Sequence, residues 1–298
     1  MGVASFGGTP AVYGGAGLKR NRPSSPTVSV IVPVKNEAAN LREILPRLPQ
    51  VHEVIVVDGN SADESVQVAR EVRPDAIIVE QTRRGKGNAL ACGFLVASGD
   101  IIVMFDADGS ADPSEIPIFV DALIDGADFA KGSRYAVGGA SDDLTVLRSL
   151  GNSFLNVIAN VAFGTRFTDL CYGYNAFWRD LVSVLDLPSV DILDPVNGLL
   201  WGDGFEIETL ISSRFAAARV KTTEVPSVER SRIYGQSNLR TFRDGARVLL
   251  TIVAEHKRMR LMRERSEPAR LSSIHTDGRP RLDLIKPTPA YEDQRQAS

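Results

Sequence analysis

Residues 101–110 read Ile101-Ile-Val-Met-Phe-Asp106-Ala-Asp108-Gly-Ser110, an apolar run that ends in two carboxylates separated by one small residue. A strand of that composition belongs in a parallel sheet, covered by helices on both faces. It carries Asp106 and Asp108 to the loop beyond its carboxyl end. Two acids so close repel each other unless a cation or a proton lies between them. A hard divalent ion, Mg2+ or Mn2+, answers that repulsion and keeps positions open for phosphate oxygens. Asp112, Pro113 and Glu115 supply the N-cap, the first-turn proline and the acidic first turn of the next helix, so neither Asp106 nor Asp108 is needed as a cap.

Working outward, Val28–Val34, Val54–Asp58, Ala76–Glu80, Ile101–Asp106 and Phe129–Gly132 read as strands, alternating with amphipathic segments. Ser61 followed by Glu64 fits a capping box, and Ile116, Phe119, Val120 and Leu123 repeat at helical spacing to face the sheet. The pattern predicts an α/β fold: a mostly parallel sheet flanked by helices, in a single domain with a C-terminal helical extension. The expected divisions are a flexible tail over 1–26, the α/β domain over 27–238, an amphipathic helix over 239–264 and a second flexible tail over 265–298.

Composition narrows the function. With 43% hydrophobic and 24% charged residues in 298, the chain can bury a large core. A net charge of -3 gives no electrostatic reason to bind nucleic acid. Cys92 and Cys171 lack the spacing of a metal knuckle or a disulfide framework and read as packing thiols in a reducing cytoplasm. No apolar run approaches the ~20 residues that span a bilayer, and the N-terminus does not read as a secretory signal. Lys257, Arg258, Arg260, Arg263 and Arg265, at the end of the last helical pattern, suit peripheral contact with anionic lipid at the inner face of a membrane.

In open parallel sheets ligands gather beyond the carboxyl ends of the strands. Pro33, Asn36, Glu37, Asp58, Asp106 and Asp108 all fall there. Arg83-Arg84-Gly85-Lys86-Gly87 sets three cations before a helix pattern, a plausible phosphate edge without P-loop spacing. The first strand runs into Pro33-Val34-Lys35-Asn36-Glu37, not into a dinucleotide-binding glycine fingerprint, which argues against a nicotinamide dehydrogenase. Asp203, Glu206 and Glu208 cluster in GDGFEIE; on a helix, Glu206 and Glu208 diverge by about 200°, so at most one of them faces a reacting centre.

VSVIVPVKNEAANL, VIVVDGNSAD, RRGKGNAL and MFDADGSADP, in that order, resemble the inverting family 2 glycosyltransferases of the GT-A fold. KGSRY, TDLCYGYNAFW, GDGFEIE and RIYGQSNL resemble, more narrowly, the dolichyl- or polyprenyl-phosphate mannose and glucose synthase branch. The resemblance implies that Pro33, Glu37 and Asp58 hold the nucleotide, with Lys86 near its base or phosphates. Asp106 would lie by the diphosphate and Asp108 on the metal. It further implies phosphate contacts for Arg134 and Arg232, and favours Glu206, then Asp203, for activating a hydroxyl. Two positions depart from that branch: Ser110 stands where a glutamine is frequent, and Asn238 where a lysine is. The second removes a positive charge and favours a hydroxyl acceptor.

The expected reaction is metal-dependent transfer of a hexose, with inversion, from a nucleotide-diphosphate sugar donor to a polyprenyl-phosphate acceptor. The same chemistry on a small-molecule or glycan hydroxyl is the alternative. A sugar nucleotidyltransferase or a non-catalytic nucleotide-binding protein would share parts of the pocket.

Overall fold

The computed structural model describes residues 22–142, 144–192, 199–235 and 241–274. Of the two expected tails, 1–21 and 275–298 lie outside the described residues, as do Gln236, Ser237, Asn238 and Leu239. The strands are β1 (Val28–Val34), β2 (Glu53–Asp58), β3 (Ile77–Glu80), β4 (Ile101–Met104), β5 (Phe129–Ser133), β6 (Ala140–Ser141), β7 (Asn175–Trp178), β8 (Thr222–Pro226) and β9 (Val228–Glu229). The helices are α1 (Ala38–Ile44), α2 (Ser65–Val72), α3 (Lys86–Val96), α4 (Ile116–Ile124), α5 (Val146–Phe163), α6 (Val182–Leu185), α7 (Ile207–Ala217) and α8 (Thr241–Ile274).

Among the described residues, seven strands form one sheet in the order β3-β2-β1-β4-β7-β5-β8, and β6 pairs separately with β9. β1 lies parallel to β2 and β4, β2 to β3, and β5 to β8. β7 runs antiparallel between β4 and β5. The continuous apolar runs follow from burial on both faces. Val30 and Val32 of β1 pack with Leu41, Ile44, Val68 and Phe119 of α1, α2 and α4. Ile31, between them, points the other way to Leu90, Phe94, Leu210 and Phe215 of α3 and α7. Each such side chain contributes about 1.5–3 kcal/mol by leaving water.

A third apolar cluster joins Leu155, Ala159 and Phe163 of α5 to Val248, Ile252 and Met259 of α8. Here α8 is held by a buried pair, Arg214 Nη2 donating to Glu255 Oε1 at 2.9 Å, and by the Trp201 indole N–H donating to the same oxygen at 3.1 Å. Residues up to Arg260 form one compact unit and those from Leu261 onward another.

The expected start of α4 is present: Asp112 accepts from the Ser114 N–H, and Ile116, Phe119 and Leu123 are buried. The expected Ser61–Glu64 capping box is not formed at α2. That helix starts at Ser65 after Glu64, which makes no side-chain cap. Ser61 does not cap it because its hydroxyl is taken by the backbone N–H of Asn36 at 2.9 Å.

Candidate active site

The loops leaving β1 and β2 are laced into one platform. Asn36 and Asn60 both turn the chain with left-handed φ, 57° and 59°, a conformation asparagine tolerates better than most residues. Asn36 Oδ1 accepts from Ala62 N at 2.7 Å, Ser65 Oγ from Glu37 N at 2.9 Å, and Asp63 Oδ2 from Ala38 N at 3.1 Å. Pro33 stands opposite Val57 in the β1–β2 register. Asp58, 6% exposed at the end of β2, accepts from Ser61 N at 3.1 Å.

The RRGKG segment is packed rather than open. Arg83 is buried and donates through Nε and Nη2 to the Asp203 carboxylate at 2.8 and 2.9 Å, and through Nη1 to the carbonyls of Ser189 and Ile192. Gly85, at φ 109°, and Gly87 press against the 202–204 backbone; a Cβ on them would stand 2.1 Å from Asp203 O and 1.8 Å from Gly202 O. The Gly87 N–H donates to Asp203 O at 2.8 Å. Lys86 is thereby aimed at the sheet edge, where its Nζ lies 2.6 Å from Asp106 Oδ1 and 2.6 Å from Glu208 Oε1. Burial alone would favour loss of the Lys86 proton, but the two carboxylates outweigh it and hold the ammonium charged. Burial, with Asp106 adding to it, raises the Glu208 pKa against the opposing pull of Lys86. Gly173 roofs the cluster closely: a Cβ there would lie 2.9 Å from Asp106 Oδ2 and 3.0 Å from Lys86 Nζ.

A strap formed by residues 230–234 crosses the neighbouring carboxylates. Arg230 N donates to Ser110 O at 2.8 Å and Ile233 N to Asp108 O at 3.2 Å. Tyr234 and Asn40 exchange two hydrogen bonds, at 3.0 and 3.2 Å. Arg232 then reaches Glu37 Oε1 at 2.8 Å and Asp108 Oδ2 at 3.4 Å. The Ser110 hydroxyl donates to Asp108 Oδ1 at 2.7 Å.

Two groups thus come together at the carboxyl edge: Lys86 with Asp106 and Glu208, and Glu37 with Asp108 and Arg232. The remaining sequence candidates are engaged elsewhere. Asp203 is occupied by Arg83. Glu206 is buried, with Oε1 accepting from Gly202 N at 3.1 Å and Gly204 N at 3.2 Å, and Oε2 3.7 Å from Arg247 of α8. Arg134 gives Nε and Nη2 to Asp169 at 2.6 and 2.9 Å and Nη1 to Glu229 at 2.9 Å, with its guanidinium 4.9 Å from the Tyr172 ring centroid. Of the acids of GDGFEIE it is Glu208 that meets Lys86, where the resemblance favours Glu206, and Gly173 carries no sequence expectation. Both Glu206 and Glu208 are buried, and at most one is expected at the reacting centre; residue spacing does not say that Glu208 is the one beside Lys86.

Among the described residues, no group of three or more His, Cys, Asp or Glu side chains is arranged to hold a metal ion. Asp106 and Asp108, two residues apart in the loop that follows β4, each offer hard oxygen donors, the first beside Lys86 and the second beside Arg232. That set suits an ion such as Mg2+, which keeps waters and completes its shell with substrate phosphates.

Residues 29–185 match the family described as glycosyl transferase family 2, and the chain belongs to that family. A dolichol-phosphate mannosyltransferase of Pyrococcus furiosus is 31% identical over 225 residues, 72% of this chain and 59% of that protein, so the chain spans less than two thirds of its relative's length. A polyprenol monophosphomannose synthase of Mycolicibacterium smegmatis is 35% identical over 182 residues, 57% of this chain and 68% of that one. Among solved structures, glucosyl-3-phosphoglycerate synthase of Mycobacterium tuberculosis, in complex with Mn2+, uridine diphosphate and glucosyl-3-phosphoglycerate, superposes with a TM-score of 0.60 at 21% identity, covering 78% of this chain and 81% of that one. At that identity the likeness concerns the fold, which is the expected GT-A type.

Proposed function

We propose that this family 2 glycosyltransferase moves a hexose from a nucleotide-diphosphate sugar to a polyprenyl phosphate, inverting the anomeric carbon. The observation that carries the reading is the pairing of Asp106 with Lys86 and of Asp108 with Arg232, in the loop that leaves β4 at the carboxyl edge of the sheet. The names of the two curated relatives support the lipid-phosphate acceptor. Pro33, Glu37 and Asp58 border the nucleoside. Asp106 and Asp108 would hold Mg2+ or Mn2+, which when bound offsets the charge of the diphosphate. Arg232 exchanges its carboxylate partners for phosphate oxygens, and Lys86 keeps a fixed positive charge beside Asp106. Charges placed before reaction at the point where the leaving group gains charge lower the barrier.

An acceptor phosphate oxygen is already anionic. It forms the new bond to the anomeric carbon as the bond to the nucleoside diphosphate breaks, and needs no base. A hydroxyl acceptor, favoured by Asn238, would have to give up a proton; Glu208, whose pKa is raised by burial, is the acid in the Lys86 cluster suited to take it. We place the reaction at the cytoplasmic face of a membrane, where the free thiols of Cys92 and Cys171 stay reduced. The test is a mass-spectrometric matrix of nucleotide sugars against polyprenyl phosphates and hydroxylated small molecules, run with each metal. A lipid-phosphate product is expected. Product on a soluble hydroxyl alone transfers the assignment to the second reading.

A further inference from the structure

α5 presents a bare face. Val146, Leu147, Leu150, Phe154, Val157 and Val161 are 57% to 81% exposed, and Leu147 to Val161 recur at alternating steps of three and four residues, so they form one stripe. The opposite side, through Leu155, Ala159 and Phe163, packs on α8. α5 has no acidic residue, and its polar positions include Arg148. On α8, Leu250 and Val253 are 63% and 57% exposed, with Lys257 and Arg260 exposed further along. Glu255, the one acid between residues 245 and 260, is buried against Arg214. Trp201 and Phe205, 43% and 45% exposed, flank the loop that carries Glu206, and the Trp201 indole bonds Glu255 of α8.

We propose that this face docks on an anionic lipid bilayer. Apolar stripes of this extent on a helix with cationic neighbours bind at the headgroup boundary. No helix among the described residues is long and apolar enough to cross a membrane, so the face lies on the bilayer. The chain as a whole carries -3, so the cations of α5 and α8 run against the overall charge. A second copy is the poorer occupant, because a two-fold contact of this face with itself would bring Arg148, Lys257 and Arg260 no acidic partner: α5 has none and Glu255 is buried against Arg214. The inference deepens the lipid-phosphate reading and rests on it for the acceptor's route alone: Arg247 of α8 reaches Glu206, and the adjoining 202–204 backbone holds the Lys86 segment.

The experiment is flotation of the full chain with phosphatidylcholine vesicles containing about 30 mol% phosphatidylglycerol, against vesicles of phosphatidylcholine alone. The native chain is expected to float with the anionic vesicles. The Phe154→Glu/Val157→Glu variant should partition about tenfold less, and Lys257→Glu/Arg260→Glu should lose the preference for phosphatidylglycerol. Both pairs are exposed, so circular dichroism should be unchanged, as should hexose transfer to a detergent-dispersed short-chain acceptor. Failure of folded protein to float overturns the proposal. So does a homodimer in light scattering that Phe154→Glu dissolves, since a second copy would then cover the face. Flotation without transfer to any acceptor supports the docking and removes the catalytic reading; transfer without flotation does the reverse.

Discussion

Lys86 Nζ lies 2.6 Å from Asp106 Oδ1 while the same ammonium touches Glu208, so one cation separates two acids at the mouth of the sheet. Lys86→Met leaves both carboxylates without it. Breaking a buried pair from one side costs about 3–5 kcal/mol; with the lysine side chain 15% exposed and Asp106 35% exposed, solvent screening brings the expected loss to about 2 kcal/mol. Adding Glu208→Gln should recover at least about half of it. Urea denaturation of the two single variants and the double variant measures the coupling; strict additivity would show that Lys86 and Glu208 act independently.

Much of this edge was legible because strand ends fix it. VSVIVPV, VIVV and IIVM declared themselves by apolar runs, and Asp58, Asp106 and Asp108 followed from where those runs stop. β7 escaped, since its four residues Asn175–Trp178 sit in an aromatic stretch that gives no periodicity. β8 ends in Pro226 on a sheet edge and reads as a loop. α5 carries Asn152, Asn156 and Asn160, which lower helix propensity. Their value is tertiary: Asn156 Oδ1 accepts from Leu170 N at 2.8 Å and Asn160 Oδ1 from Phe167 N at 2.7 Å. The roles of Arg83 and Arg134 were illegible for a related reason. Their partners Asp203 and Asp169 are distant in sequence, and a basic motif looks the same whether it awaits a phosphate or already holds a carboxylate.

Gly87→Ala tests the packing of the Lys86 segment. Its Cβ would fall 1.8 Å from Gly202 O, a backbone atom, so the two loops must part. A loss of about 3 kcal/mol or more is expected, with hexose transfer reduced further because Lys86 loses its aim. Gly151→Ala in α5, where nothing lies within 4 Å of the added Cβ, should be neutral or stabilising by up to about 1 kcal/mol. Thermal melts of both decide it; equal effects would contradict the close approach.

Asp108→Ala separates chemistry from folding. The side chain is 24% exposed and its contact with Arg232 is long, 3.4 Å, so stability should change by less than about 1 kcal/mol. Metal-dependent donor turnover should fall by about 1,000-fold, the scale of losing a preorganised charge site. A titration of Mg2+ and Mn2+ against turnover, with circular dichroism as the folding check, gives the answer. Full turnover by this variant would remove Asp108 from the site.

Lys131 makes the opposite prediction for stability. It lies fully buried in β5, where Nζ donates to Tyr172 O at 3.4 Å. Burial lowers its pKa below the ordinary 10.5, and the attraction of Asp169 offsets this in part. The unfolded chain therefore binds this proton more readily than the folded one, and stability from this group rises as pH climbs from the folded pKa towards 10.5. Lys131→Met, of similar length and without charge, should raise stability at neutral pH by about 1–2 kcal/mol and flatten that slope. Arg134 still pairs Asp169 in the variant, so no carboxylate is orphaned. Urea melts at neutral and alkaline pH measure both effects. A variant less stable than the native chain at neutral pH would mean that the buried ammonium holds Asp169 and the Tyr172 carbonyl in place more strongly than its desolvation opposes the fold.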